Sequence, residues 1–598
     1  MLLLSIWFSI FLISGVIGDD SCVAGPTSCE DTPYRSLDGS CNNLDNPSWG
    51  LPYTRYGRIL PAKYGDGIST LPVAKSGKPL PGAREISTSL FPEVNITDRF
   101  LTLNTMQFGQ FISHDLSLTV LGGSQSICCS PEGQMLNASS MPQGCAPISV
   151  SDDDPDYSQA KIHCLALLRT TTDLDRGCKI SGTKPAEQLT QVTSYLDLSL
   201  IYGNDEKVNS QIRKFQGGLL STEMRDGQFW PTNSKNKQKD CPFAVKNDVC
   251  YYATDDRFNQ NPQLLALEVL FYREHNRIAS RLSEVNPHWN DERLFQEARK
   301  INIGSYQNIM YYEWLPELFG RKVLISEQII HDTHGYIDDY QDTVNPAVLN
   351  EFSNAAYRHF HTAVAGSLDL MKEDRSTENS LRLSDWYHRS ESLEVNENLF
   401  DDLVRGLNTQ HQMEFDRYHD KEISLYLFRG KQSIGRDILA IDIQRSRDHG
   451  LASYNDMRQF CGYKKAITFR DFSHTMSHQH IRMLEDLYEQ PDDVDLYVGG
   501  SLESRLPHSL VGPTFRCILL EEFYLARTTD RYWFERSSEF TKPQLAEIRK
   551  ASMSRIVCDN SKDIRSMQEN AFVAPGSKKT LIPCSELPAI DLEMWKEN

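Results

Sequence analysis

A chain of 598 residues is long enough for several domains on length alone, and its formal charge of −19 argues against a nucleic-acid or anionic-membrane partner. Lys and Arg form no dominant cluster, so most acidic residues read as solvated surface. All 14 Cys lie beyond residue 18, an even number that suits disulfides in an oxidising compartment.

Residues Leu2 to Val16 are almost wholly apolar, and Gly18 precedes Asp19-Asp20, which reads as a signal peptide over 1–18 although a charged leading segment is missing. A membrane anchor is the alternative, but the run is short for a span and no later stretch is long and apolar enough. The mature chain is therefore expected to be soluble, secreted and extracellular. Residues 19–100 are rich in Gly, Pro, Asn and Ser and predict an extended, disulfide-pinned wrap. A helix is predicted over about 102–118, then a variable surface loop over 121–160. The sequons Asn95-Ile96-Thr97 and Asn137-Ala138-Ser139 are glycosylation candidates if exposed. Asn261-Pro262 reads as the cap and first residue of a long helix through Leu282, apolar nearly all round from Leu264 to Phe271 and hence buried. Further helical patterns run over about 291–313 and 345–364. Strand-like alternation is scarce, and neither a repeat nor a linker divides the chain. The expected fold is mainly α, one large helical domain over 19–598, with the wrap over 19–100 and a helical core over 101–598.

The stretch Gln107 to Thr119, QFGQFISHDLSLT, carries the first chemical signal. Gln110 and His114 are four apart and share a helix face, with Phe108, Phe111, Ile112 and Leu116 around them. Asp115 projects about 100° further round and faces something else, where it can hold a cation. Taken alone, the pair reads as a core His satisfied by Asp115. Thr193, Tyr195, Asp197 and Ser199 are spaced by two in TSYLDLS. By itself that is an alternating half-buried strand; as a loop it would offer several oxygens to a hard cation such as Ca²⁺.

Six motifs in order, RSLDGSCNN from Arg35, FGQFISHD, TSYLDLSLIYG from Thr193, DRFNQNPQLLALEVLFYREHNRIA from Asp256, AAYRHFHTAV from Ala355 and DIQRSRDHGLASYN from Asp442, resemble the animal haem peroxidase family. The resemblance runs from about Cys29 to the C-terminal region. It implies a secreted, single-domain enzyme of invertebrate type, with haem between a distal and a proximal helix. Such an enzyme reduces hydrogen peroxide and oxidises small donors, halides, pseudohalides or tyrosyl and phenolic groups, including those of an extracellular protein. The alternative is an adhesion or binding protein on the same scaffold, which the lack of an Arg-Gly-Asp or Lys-Gly-Asp triplet weakens.

By the same resemblance, His114 is the distal base, Arg257 the distal cation and Gln110 the group that orients water, peroxide or halide. Read without the motif, Arg257 is a surface charge before a helix. The iron ligand is His361, directly before Thr362 and three residues after Arg358; His359 is the nearby competitor. Asp442 stands where most relatives carry an Asn as the ligand's hydrogen-bond acceptor. Arg358 and Arg445 match cations that meet propionates or brace the proximal side, and a plain core salt bridge is the other reading of each. Ser113 and Gln260 occupy positions at which many relatives attach haem through Asp and Glu esters, and Asn261 replaces a Met link, so noncovalent haem b is expected. A calcium site is implied at Asp115, Thr193, Tyr195 through its carbonyl, Asp197 and Ser199. The implied disulfides are Cys29–Cys41, Cys129–Cys145, Cys241–Cys250, Cys461–Cys517 and Cys558–Cys584, with Cys22, Cys128, Cys164 and Cys178 left open.

Overall fold

The computed structural model describes residue 23 and residues 25–597, apart from 122–126, 138, 179–183, 247, 253 and 577–579. The expected signal peptide and Cys22 lie outside the described residues. The centre is the helix Pro262–Val285, started where Asn261 accepts the Leu264 N–H at 2.8 Å and proline supplies the first helical residue. It is buried on every side from Pro262 to Tyr272. Beside it runs the helix Asp291–Asn308, capped by Asn290 and carrying Asp291 and Glu292 at its positive end.

Against these packs the helix Leu103–Leu116, whose Phe111 ring stacks on Phe271 with centroids 5.0 Å apart, while Tyr306 closes the group edge-on at 5.6 Å from Phe111. Gly109 allows its other side to approach the segment Tyr357–Ala363: a Cβ there would sit 2.9 Å from the Phe360 ring. Among the described residues, strands occur only as five two-stranded antiparallel pairs, such as Thr97–Thr102 with His411–Met413. The fold is therefore helical, as the patterns predicted.

Two predicted helices change pitch. The one from Asp291 turns π-helical over Ile309–Trp314, and the one predicted from 345 begins only at Asn350, is π-helical over Phe352–Ala356 and 3₁₀ over Tyr357–Ala363. The wrap also holds a short helix, Ala83–Leu90, from which buried Arg84 pairs with Asp154 and Asp437, each at 2.8 Å. At its start, Arg35 meets Asp530 at 2.9 Å, tying the two ends of the chain together.

Four disulfides match the implied pairing, Cys29–Cys41, Cys241–Cys250, Cys461–Cys517 and Cys558–Cys584. The fifth does not. Cys145 joins Cys128, and Cys129 joins Cys164. Neighbouring residues of an extended chain point to opposite sides, so Cys128 and Cys129 cannot both reach one partner strand. Cys164 comes within reach because Cys164–Leu165 pairs with Ile148–Ser149. Cys178 is also disulfide-bonded.

Candidate active site

The 103–116 helix delivers His114 in its last turn, with its side chain almost fully buried. Its Nδ1 is enclosed and has no hydrogen-bond partner among the described residues. Burial pushes the imidazole well below its ordinary pKa, and the Arg257 charge acts the same way. His114 is thus neutral at pH 7, and the core pairing with Asp115 does not exist: Asp115 bonds Leu198 and Ser199 instead.

Arg257 reaches this helix end from the loop before Pro262. It donates from Nη2 to the His114 carbonyl at 2.9 Å and from Nη1 to the Ser117 carbonyl at 2.7 Å. Asp255 grips it through both carboxylate oxygens, at 2.8 Å to Nε and 2.7 Å to Nη2. Burial works against ionisation of Asp255, but Arg257 outweighs it and holds that carboxyl below the usual range. Asp255 was not singled out from sequence, although an Asp two residues before an Arg ahead of a capped helix was a visible signal. Gln110 is tied to the start of the 262–285 helix: its Nε2 donates to Gln260 Oε1 at 3.2 Å, and its Oε1 accepts from Asn261 Nδ2 at 3.2 Å. Ser113 and Gln260 are half-buried.

On the other side, His361 Nδ1 lies 2.6 Å from Asp442 Oδ2, and Arg358 Nη1 donates to Asp442 Oδ1 at 2.8 Å. Asp442 is wholly buried on the helix Ile438–Asp448, whereas the His361 side chain is 32% exposed. An imidazole anchored through Nδ1 to a buried carboxylate has Nε2 left for a metal, the chemistry an axial iron ligand requires. His359 is instead enclosed between Phe415 and Phe515, with centroids 5.9 and 5.6 Å away, and burial pushes it down to about 3. Arg445 pairs with Asp448 at 2.9 Å and donates to the Leu168 carbonyl at 2.8 Å.

TSYLDLS is an irregular buried loop rather than a strand, ending in the helical turn Ser199–Tyr202. Leu198 sits in the left-handed region at φ 56°, an uncommon place for leucine. Its N–H and that of Ser199 both donate to Asp115, at 3.1 and 2.7 Å. Thr193 Oγ1 donates to Asp197 at 3.0 Å, and Ser199 N also reaches Asp197 at 3.1 Å. Asp115 and Asp197 are both buried, and burial raises both carboxyls above their usual range; their mutual repulsion adds to the rise of Asp115. Two neighbouring buried carboxylates with hydroxyls around them suit a hard cation. Among the described residues no cluster of three or more His, Cys, Asp or Glu is placed to hold a metal, so remaining ligands would be neutral oxygens.

The family model described as animal haem peroxidase matches residues 34–572. The chain belongs to the animal haem peroxidase family. It is 46% identical to a peroxidase of Drosophila melanogaster over 97% of this chain and 85% of the relative. It is 37% identical to the chorion peroxidase of the same fly, over 94% and 71%. Among solved structures, peroxidase A of Dictyostelium discoideum superposes with a TM-score of 0.76 at 26% identity, over 91% of this chain and 100% of that one. A rice fatty acid alpha-dioxygenase shares the fold at 16% identity and a TM-score of 0.71. The enzyme is accordingly a peroxidase whose family implies a haem cofactor, hydrogen peroxide and a reducing substrate. No helix among the described residues is long and apolar enough to cross a membrane.

Proposed function

We propose that this peroxidase works outside the cell with noncovalently bound haem b and a structural calcium ion, oxidising small donors such as iodide, thiocyanate and phenols, or tyrosyl groups of an extracellular protein. The observation that carries the reading is the contrast between His361, fixed by buried Asp442, and His114, neutral and untied beside Arg257. His361 Nε2 would hold the iron of a bound haem, which would supply the metal at which the O–O bond of peroxide breaks. Asp442 keeps the ligand's Nδ1 in place and enriches the ring. His114 takes the peroxide proton and returns it to the departing oxygen. Arg257 offers fixed positive charge where that oxygen gains electrons, with Asp255 holding the guanidinium in position. Gln110, pinned by Gln260 and Asn261, orients the small molecule in the site.

Export is supported by the apolar stretch over 1–18, which we read as a signal peptide, by six disulfides among the described residues and by exposed Asn95 and Asn137 in the two sequons. The likeness to proteins named chorion peroxidase suits the same setting. The test is an absorption spectrum of the purified enzyme before and after peroxide. A Soret band that shifts with peroxide and recovers on adding iodide or a phenol is expected. A purified protein without that band would sink the reading.

A further inference from the structure

Glu268, inside the 262–285 helix, has no exposed surface, and neither carboxyl oxygen has a hydrogen-bond partner among the described residues. A buried acid without a protein partner is costly, and native proteins keep few of them. Its position is defined by its neighbours. Asn261 lies seven residues earlier, within about 20° on the helix wheel, and bonds Gln110; Phe271, almost one turn later, stacks on Phe111. Glu268 is therefore bracketed on the face that meets the helix bearing His114. The charges acting on it are those of Asp255 and Arg257. The helices packed on this face also carry the titratable groups His114 and, on Asp291–Asn308, Tyr306, whose ring lies 5.9 Å from Phe271. Burial first, and Asp255 second, push the Glu268 carboxyl well above its usual range, against the pull of Arg257.

Asp255 pairs one to one with Arg257, so a neutral Glu268 leaves that pair intact. An ionised Glu268 would set two carboxylates against one guanidinium in a low-dielectric core. The guanidinium would then be drawn from the His114 and Ser117 carbonyls, which it now meets at 2.9 and 2.7 Å. We propose that Glu268 is a positioning residue of the distal site: buried without a partner on the face toward the His114 helix, it adds no second carboxylate to the Asp255–Arg257 pair and so leaves Arg257 aligned on the end of that helix. The inference rests on the role given to Arg257 above.

The test compares wild-type holoenzyme with Glu268→Gln, which keeps shape and neutrality but cannot ionise. At neutral pH the rate of reaction with hydrogen peroxide should agree within about twofold. At alkaline pH the wild type should slow by about tenfold per pH unit beyond the carboxyl's pKa, and Glu268→Gln should not. An independent readout needs no turnover: the infrared band of a protonated carboxyl, present in the wild type at neutral pH, should be missing from Glu268→Gln. Glu268→Met, similar in volume and without the acid, supplies the same difference spectrum should the amide fail to fold. Loss of the neutral-pH rate by more than about tenfold in Glu268→Gln, an alkaline limb shared by both proteins, or an unchanged infrared band overturns the proposal. If Arg257→Lys leaves the peroxide rate untouched, the role of Arg257 fails instead, while the infrared result still reports whether Glu268 is neutral.

Discussion

The two sides of the active site treat the same side chain in opposite ways. His361 is clamped: its Nδ1 meets a wholly buried carboxylate at 2.6 Å, and Arg358 holds that carboxylate from beyond at 2.8 Å. His114 is left bare: its enclosed Nδ1 has no hydrogen-bond partner among the described residues, and burial beside Arg257 keeps the ring neutral. A metal ligand must be oriented and electron-rich, whereas a proton shuttle must be neutral and untied at working pH. In the proposed division of labour, partners rather than residue type separate the two histidines. Asp255 extends the same logic to Arg257, whose guanidinium it fixes in place.

The most severe way to break this contrast is to remove the clamped imidazole. His361→Ala should purify without haem, whereas His359→Ala should retain it, because His359 is packed between Phe415 and Phe515 while His361 is the imidazole that meets Asp442. Haem content per chain, read from the Soret band and total iron, decides it. Equal content in the two variants would refute the assignment of the ligand.

Why His361 and Asp442 were legible from sequence, and Asp255 and Glu268 were not, follows from the kind of signal each leaves. The motifs around His114, His361 and Asp442 are contiguous, and the Asn261-Pro262 cap is a local rule that the structure follows to the residue. Glu268 sits in an apolar helix as one acid among Leu and Val, where only the packing reveals that it lacks a partner. The change of pitch at Ile309–Trp314 and through 352–363 escaped because apolar spacing reports a buried face, not the hydrogen-bond register behind it. Cys128 and Cys129 were interchangeable on paper, and only the strand pairing of Cys164 separates them.

A milder perturbation acts behind the bare histidine. Asp115 follows His114 directly and, with Asp197, forms a pair of buried carboxyls that ionise reluctantly unless a cation joins them. Chelation, or Asp197→Asn, should lower the melting temperature and slow the peroxide reaction together. Calcium at about a hundred times its dissociation constant would contribute about 2.7 kcal/mol. The pH signature has a definite sign. The folded-state pKa values are raised, so the cation-free folded state binds more protons than the unfolded chain above the ordinary Asp range, and its stability falls as pH rises until the raised values are passed. Saturating calcium should flatten that fall. Active enzyme free of calcium by metal analysis would rule the site out.

The smallest expected effect concerns attachment of the haem. Ester links form when carboxylates beside the haem are oxidatively coupled to it, and the two positions that carry them in many relatives are Ser113 and Gln260 here, both half-buried. Neither side chain can form the ester, so acidified organic solvent should extract all of the haem from the wild type. Without those links, and with Asp442 enriching the ligand, the oxidised enzyme should be too weak an oxidant to turn over chloride at a useful rate, while iodide, thiocyanate and phenols remain accessible. Ser113→Asp combined with Gln260→Glu, cycled with peroxide, should make only part of the haem nonextractable, because placement as well as residue type governs the coupling. Gln260→Glu also removes one hydrogen-bond arrangement at Gln110 Nε2, now 3.2 Å from Gln260 Oε1, but a carboxylate still accepts there, so the site itself should persist. Wild-type haem that already resists extraction, or chloride consumed as fast as iodide, would show that these two substitutions do not mean what is claimed for them.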